Sequence, residues 1–268
     1  NHHSKIMTTG HLGFIGSHLH ETIGGTGIDI KEGNDILLYD FSEDTEKTIF
    51  HLAAQASIPK SFEDPIGSHT ENVVGTLMVL EHAKNIGAKV IFSSSSSVYD
   101  PVSPYALQKK MCEDYMNFYW TLGVKSVALR YFNVFGERQE IANEGNSLVL
   151  ARFLDQYKKG EPFTIYGTGE QRRDFVYVKD VVDANIKASN FLDTASHFET
   201  IDIGTGVNYS VNEVADMISK THPRVYLPPR VEPFENRADP GQAQEFLNWE
   251  PQITLPQWLK QRSKGARI

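Results

Sequence analysis

The chain has 268 residues, 40% of them hydrophobic and 22% charged, with a formal net charge of −8 at pH 7. That balance suits a compact globular enzyme with one large unit and a smaller lobe, and argues against a broad nucleic-acid footprint. No apolar stretch approaches membrane-spanning length, and the single cysteine, Cys112, excludes an internal disulfide. With no basic-apolar leader, a reducing compartment, the cytosol, is the expected location. Asn1-His2-His3-Ser4 resembles the remnant of a purification tag, so His2 and His3 are not read as ligands and no metal site is expected.

The first element is a short mixed apolar run over residues 5–9, followed by Thr9-Gly10-His11-Leu12-Gly13-Phe14-Ile15-Gly16. Ile15, Leu19 and Ile23 then recur every four residues, as on one buried helical face, so a strand gives way to a helix at the glycines. Gly10 permits the tight turn, Gly13 lets a pyrophosphate approach the backbone, and Gly16 lets helix and strand pack closely. The helix N-terminus offers unpaired N–H groups and partial positive charge to phosphates. Gly27-Ile28-Asp29 reads as the second strand. A carboxylate at its end accepts hydrogen bonds from an adenosine ribose and repels a 2′-phosphate, which favours NAD over NADP. Asp29 also suits an ordinary turn, and Lys31 is near.

Residues 48–52, 89–92 and 126–129 are short apolar runs, each flanked by longer segments of helical spacing. Parallel strands with crossover helices are expected, in a doubly wound α/β sheet. Pro104 suits the first turn of a helix on which Tyr105 and Lys109 stand four apart, on one face. An ammonium beside a phenol favours phenolate, lowering its pKa from about 10 and bringing a general base toward neutral pH. Later, residues 147–159 read as a helix and 162–166 as a short strand. Ser210 caps a helix through Ile218, with Glu213 placed for a capping box, and Leu227-Pro228-Pro229-Arg230 marks a loop. These build the second lobe. Residues 1–139, with a return segment 175–205, form the first unit, and 140–174 with 206–268 form the second.

The glycine spacing is G-x-x-G-x-x-G, and a series of further blocks follows it: His51-Leu52-Ala53-Ala54-Gln55-Ala56-Ser57, Asn72-Val73-Val74-Gly75-Thr76, the serines before Val98-Tyr99, and Ser103-Pro104-Tyr105 with Lys109. Arg130-Tyr131-Phe132-Asn133, Arg173-Asp174-Phe175 and Asn248-Trp249-Glu250-Pro251 complete it. In type and order this series resembles the extended short-chain dehydrogenase/reductase family, within it most the nucleotide-sugar 4-epimerases of the UDP-galactose 4-epimerase group. The resemblance implies a Rossmann fold with a smaller mixed α/β C-terminal lobe for substrate, a homodimer, NAD as cofactor, and a UDP-sugar as partner rather than nucleic acid or membrane.

It also implies roles. Gly10, Gly13, Phe14, Ile15, Gly16 and Asp29 would hold the cofactor, Asp40 and Phe41 its adenine, and Leu52, Ala53 and Ala54 would lie beneath it. Asn72, Tyr131, Tyr105 and Lys109 complete that set, Lys109 on the nicotinamide ribose. Asp40 suits a cap or a solvated turn equally. Ser95, or its neighbour Ser96, would hold the sugar's 4-hydroxyl, with Tyr105 as acid/base. Asn133 and Arg173 would bind the UDP portion, with Asn146 and Ser147 lining the nucleotide pocket. Arg230 is a second diphosphate candidate, although its surroundings depart from the family's pattern. Asn236 would limit substituents at the sugar's 2-carbon, or be a plain loop asparagine.

The 4,6-dehydratases carry an Asp-Glu pair, and related decarboxylases an acid, where this chain has Ser96 and Ser97. The implied reaction is therefore 4-epimerisation through a 4-keto sugar. A reductase or dehydrogenase with net nicotinamide turnover, or a non-catalytic NAD sensor, are the alternatives. Two intervals are shorter than the family's, from Gly16 to Asp29 and from Ser95 to Tyr105, as if exposed loops had been left out there.

Overall fold

A computed structural model describes residues 6–139 and 148–265. β1 (Ile6–Thr9) runs into the glycine turn and α1 (Phe14–Ile23), whose Leu19 is fully buried. Gly24 and Gly25, at φ +67° and +89°, return the chain at once to β2 (Thr26–Ile28) beside β1. A Cβ on Gly25 would lie 2.3 Å from the Ile6 carbonyl oxygen, so only glycine fits this short joint. β3 (Thr48–His51) leads to α2 (Ile58–Glu63), α3 (Pro65–His69) and a π-helical turn that enters α4 (Gly75–Ile86). β4 (Lys89–Ser95) is followed by a 3-10 turn, Ser96–Tyr99, and then by α5 (Pro104–Trp120), capped by Ser103. The second short interval is thus bridged by one turn and a cap. β5 (Ser126–Tyr131) and β6 (Asn133–Phe135) follow.

β2, β1, β3, β4 and β5, in that order, form a parallel sheet completed by β9 (Glu199–Ile203). Side chains alternate across it, as the strand period demands. Phe50, Ile91, Val127 and Leu129 enter one core with Leu19, while Ile49, Val90, Phe92 and Ala128 enter the other with Val79, Leu80, Cys112 and Met116. Helices α1 and α7 (Val178–Phe191) cover the first face, α4 and α5 the second. The sheet is doubly wound, and the order reverses between β1 and β3, so the carboxyl ends of those strands border the ligand crevice of such folds.

The smaller lobe holds α6 (Val149–Lys159), β7 (Phe163–Tyr166), β8 (Arg172–Tyr177), β10 (Asn208–Ser210), α8 (Val211–Ile218), β11 (Arg224–Leu227), α9 (Gly241–Leu247) and α10 (Leu255–Gly265). β10, β8 and β6 form one small sheet, and β11 pairs with β7. Both hydrogen bonds of the Ser210–Glu213 capping box are present. β8 straddles the expected boundary at 174, its residues 175–177 pairing with β6 and its residues 172–174 with β10. The first core continues from Leu19 and Ile91 through Phe153, Phe163 and Val214 to Trp249 and Trp258, so both lobes share it. Asp174, 0% exposed, accepts from Thr205 N and Oγ1, Gly206 N and Ala238 N at 2.8–3.0 Å, clasping three segments. Trp249 Nε1 donates to the Asp180 carbonyl oxygen on α7 at 2.8 Å, while the Asp180 carboxylate accepts from Gln252 N and Ile253 N. Among the described residues no helix is long and apolar enough to cross a membrane.

Candidate active site

The glycine turn is built as its spacing demands. Gly10 lies at φ +74°, and a Cβ there would come 2.8 Å from the Ala53 nitrogen. A Cβ on Gly16 would sit 2.0 Å from the Gly10 carbonyl oxygen. Gly13 is the N-cap of α1 and supplies no side-chain cap, which leaves the helix N-terminus able to donate to phosphate. Phe14 and Ile15 open the helix and pack on the core. Thr9 Oγ1 accepts from Leu52 N and Ala53 N, both at 3.1 Å, so the end of β3 lies against the turn, with Ala54 exposed beyond it.

Asp29 is buried at the end of β2. Its carboxylate accepts from Leu12 N at 3.0 Å and Lys31 N at 2.9 Å, which ties the glycine turn to the acidic residue. It caps a turn and faces the glycine loop. Asp40 is exposed and accepts from Ser42 N at 3.0 Å, whereas Phe41 is half-buried with its ring on His82. A glycine cradle with no room for Cβ, an uncapped helix end and a carboxylate at the second strand fit a dinucleotide.

Two side chains expected at the cofactor are engaged by protein partners. The Asn72 amide is occupied by Gln55 N (2.7 Å), Gln55 O (3.1 Å) and Gln108 Oε1 (2.8 Å), so it braces the loop after β3. The Tyr131 ring belongs to the core, and its hydroxyl is held between Ser93 Oγ at 2.7 Å and Asn185 Nδ2 at 2.8 Å. A tyrosine hydroxyl with two buried partners is satisfied there, so the side chain supports the strand end.

Ser95 ends β4, and Tyr105 and Lys109 share one face of α5. Ser95 Oγ accepts from Ser97 N at 3.1 Å and Ser97 Oγ at 2.8 Å, and it hydrogen-bonds the Tyr105 phenol. Ser96 starts the 3-10 turn. The Lys109 ammonium lies 5.7 Å from the Tyr105 ring centroid and donates to the Ser93 carbonyl oxygen at 2.8 Å. The expected lowering of the phenol is not what this structure shows. Burial pushes Tyr105 up to about 12, against the smaller downward pull of Ser95, and burial pushes Lys109 down to about 8. Desolvation penalises each ion separately and outweighs their attraction at this separation.

Across the crevice, Asn133 Nδ2 donates to the Asp174 carbonyl oxygen at 2.9 Å and lies 3.4 Å from Asn236 Oδ1. Asn236 Oδ1 accepts from Asp174 N at 2.9 Å, so its side chain is engaged with β8. Arg173 pairs with Glu232 at 3.3 Å, and Arg230 lies 3.8 Å from the Tyr166 ring centroid. Arg152, which carried no sequence signal, lies 5.3 Å from the same ring. Burial lowers both Arg152 and Arg173, and the charge of Arg230 lowers them further, so three guanidiniums cluster in the neighbourhood of Glu232. Clustered guanidiniums suit a diphosphate. Asn146 and Ser147 lie outside the described residues.

His51 was also missed as a site residue. It is fully buried between Thr9 Oγ1 at 2.7 Å and Thr76 Oγ1 at 2.9 Å, and burial pushes it down to about 3, so a neutral imidazole joins β1, β3 and α4 beneath the turn.

A glycine turn at the sheet's carboxyl edge, facing a serine and a Tyr-x-x-x-Lys helix, defines the short-chain dehydrogenase/reductase class. Within it, the chain belongs to the NAD dependent epimerase/dehydratase family, whose model matches residues 6–204. It is 31% identical over 305 residues to UDP-glucose 4-epimerase of Mycolicibacterium smegmatis, covering 95% of this chain and 96% of the relative. That alignment is longer than the 268-residue chain, so the relative carries stretches this chain lacks. UDP-glucuronic acid decarboxylase 1 of Danio rerio is 28% identical over 305 residues, covering 95% of this chain and 71% of the relative. Among solved structures, UDP-N-acetylglucosamine 4-epimerase from Methanobrevibacter ruminantium M1, in complex with UDP-N-acetylmuramic acid, superposes with a TM-score of 0.89. It is 31% identical and covers 97% of each chain.

Proposed function

We propose that this protein interconverts a UDP-hexose and its 4-epimer through a transient 4-keto sugar. The observation that carries the reading is Tyr105 beside Ser95 and Lys109, with serines rather than acids at positions 96 and 97. NAD, when bound, supplies the hydride acceptor and donor for carbon 4. Ser95 orients the 4-hydroxyl, and Tyr105 takes its proton and returns it after the sugar has turned over. Lys109 favours the phenolate that this transfer needs, because a phenolate–ammonium pair relieves the burial cost that each ion bears alone. Arg173, Arg230 and Arg152 hold the diphosphate, displacing Glu232 from Arg173, with Asn133 and Asn236 at the sugar's end of that anchor.

The exposed stripe Leu107, Met111, Tyr115 and Phe118 on α5 supports a homodimer through that helix. Incubation with NAD and, separately, UDP-glucose, UDP-N-acetylglucosamine and UDP-glucuronate, followed by NMR, tests the reaction. A 4-epimer is expected from at least one of them without net NADH. Steady NADH accumulation or release of carbon dioxide would replace the reading with a dehydrogenase or decarboxylase. Replacing Tyr105 by Phe should keep fold and NAD binding while slowing epimerisation by at least about 10².

A further inference from the structure

Three potential metal ligands meet on the second face of the sheet, away from Tyr105. Asp44 and Glu46 precede β3 and His82 lies on α4, and one ligand atom from each falls within 4.8 Å of the others. Glu46 is 5% exposed and His82 6%. Glu46 Oε1 accepts from Thr26 Oγ1 at 3.0 Å, but Glu46 Oε2, Asp44 Oδ2 and His82 Nε2 are buried without a hydrogen-bond partner. Each such atom is destabilising while it stays unpaired, and two adjacent carboxylates add repulsion. Burial and the Glu46 charge hold the Asp44 carboxyl above its usual range, while burial holds His82 toward the neutral form that ligates metals.

We propose that Asp44, Glu46 and His82 bind one first-row divalent cation, with Zn²⁺ the best fit. One imidazole nitrogen and two carboxylate oxygens are zinc ligands, whereas Mg²⁺ and Ca²⁺ take oxygen sets. Two negative charges balance the ion. Ligands at about 2.0–2.1 Å from a tetrahedral centre stand roughly 3.4 Å apart, so closure onto the ion needs side-chain movements on the order of 1 Å. The supporting bonds exist already, since Thr26 holds Glu46 and Tyr39 hydrogen-bonds Asp44. The ion would pin the stretch before β3 to α4. Phe41 lies 4.5 Å from the His82 ring, so the same ion would stiffen the Asp40-Phe41 pair assigned to adenine.

The test uses the full chain, freed of metal with EDTA and titrated with ZnCl₂ or MgCl₂ by calorimetry and thermal unfolding, without NAD. One equivalent of Zn²⁺ should bind, raising the midpoint by roughly 5 °C at 100-fold over its Kd, and Mg²⁺ should not. Glu46→Gln and His82→Gln should each weaken Zn²⁺ by at least about tenfold. Asp44→Asn, at a less buried position, serves if either variant fails to fold, and Co²⁺ should give a visible tetrahedral spectrum in the parent alone. No stoichiometric Zn²⁺ uptake by the parent at roughly 100 μM ZnCl₂, or parent-like uptake by the folded variants, overturns the proposal. Parent-like uptake would place the zinc on other histidines.

Discussion

Tyr105 and Lys109 each sit where their charged form is disfavoured, and the lysine's contribution is therefore best read from a pH profile. Lys109→Ala should slow turnover and shift the pH optimum upward, because a phenol without its cation ionises only at higher pH. An unshifted profile would make Lys109 a structural residue. His51 makes an independent prediction about stability. Its folded pKa of about 3 lies below the unfolded value near 6.5, so below pH 6.5 the unfolded chain binds the extra proton. Its contribution is complete above pH 6.5 and is lost as pH falls toward 3, at roughly 1.4 kcal/mol per pH unit. Urea melts at pH 7, 6 and 5 should show this slope, and His51→Gln, which can still bond Thr9 and Thr76, should flatten it. Asp29 decides cofactor choice. NAD should bind far more tightly than NADP by calorimetry, and Asp29→Asn should narrow the gap; equal affinities in the parent would refute the assignment.

At the scale of elements, the glycine turn has the least tolerance. Gly16→Ala places a methyl carbon 2.0 Å from the Gly10 carbonyl oxygen, so the turn must move. NAD affinity should fall by at least about tenfold while helix content persists, as calorimetry and circular dichroism would report. This turn, the strands of the main sheet and the helix capped by Ser210 were legible because each carries a local signature: glycine spacing, an apolar run, a capping box. β6 and β10, of three residues each, are too short to show any period, and their sheet exists only through pairing with β8. The site divided the same way. Gly10, Asp29, Ser95, Tyr105 and Lys109 were readable from motif and spacing, whereas Arg152 becomes a site candidate only when α6 brings it to Tyr166. The protein partners of the Asn72 and Tyr131 side chains were not legible, because a motif position does not say which way a side chain points.

Across the whole molecule, one core joins the two lobes, so they should unfold together. Trp249→Ala removes a side chain that is 1% exposed and its bond to Asp180, and should cost about 3–5 kcal/mol. Thermal melts followed by fluorescence and by loss of NAD binding should give one coincident midpoint, lowered in the variant; two separate transitions would show independent lobes. The clasp at Asp174 carries a different consequence, for how such a scaffold can diversify. Arg173 and Asp174 are neighbours on β8 and so point to opposite faces, one toward the proposed diphosphate and the other into a knot of four backbone and hydroxyl donors. The strand is locked on one side by the requirement to hold the molecule together. Inherited or engineered shifts in sugar preference should therefore accumulate at the exposed positions of the 228–237 stretch rather than at Asn236, whose side chain bonds β8.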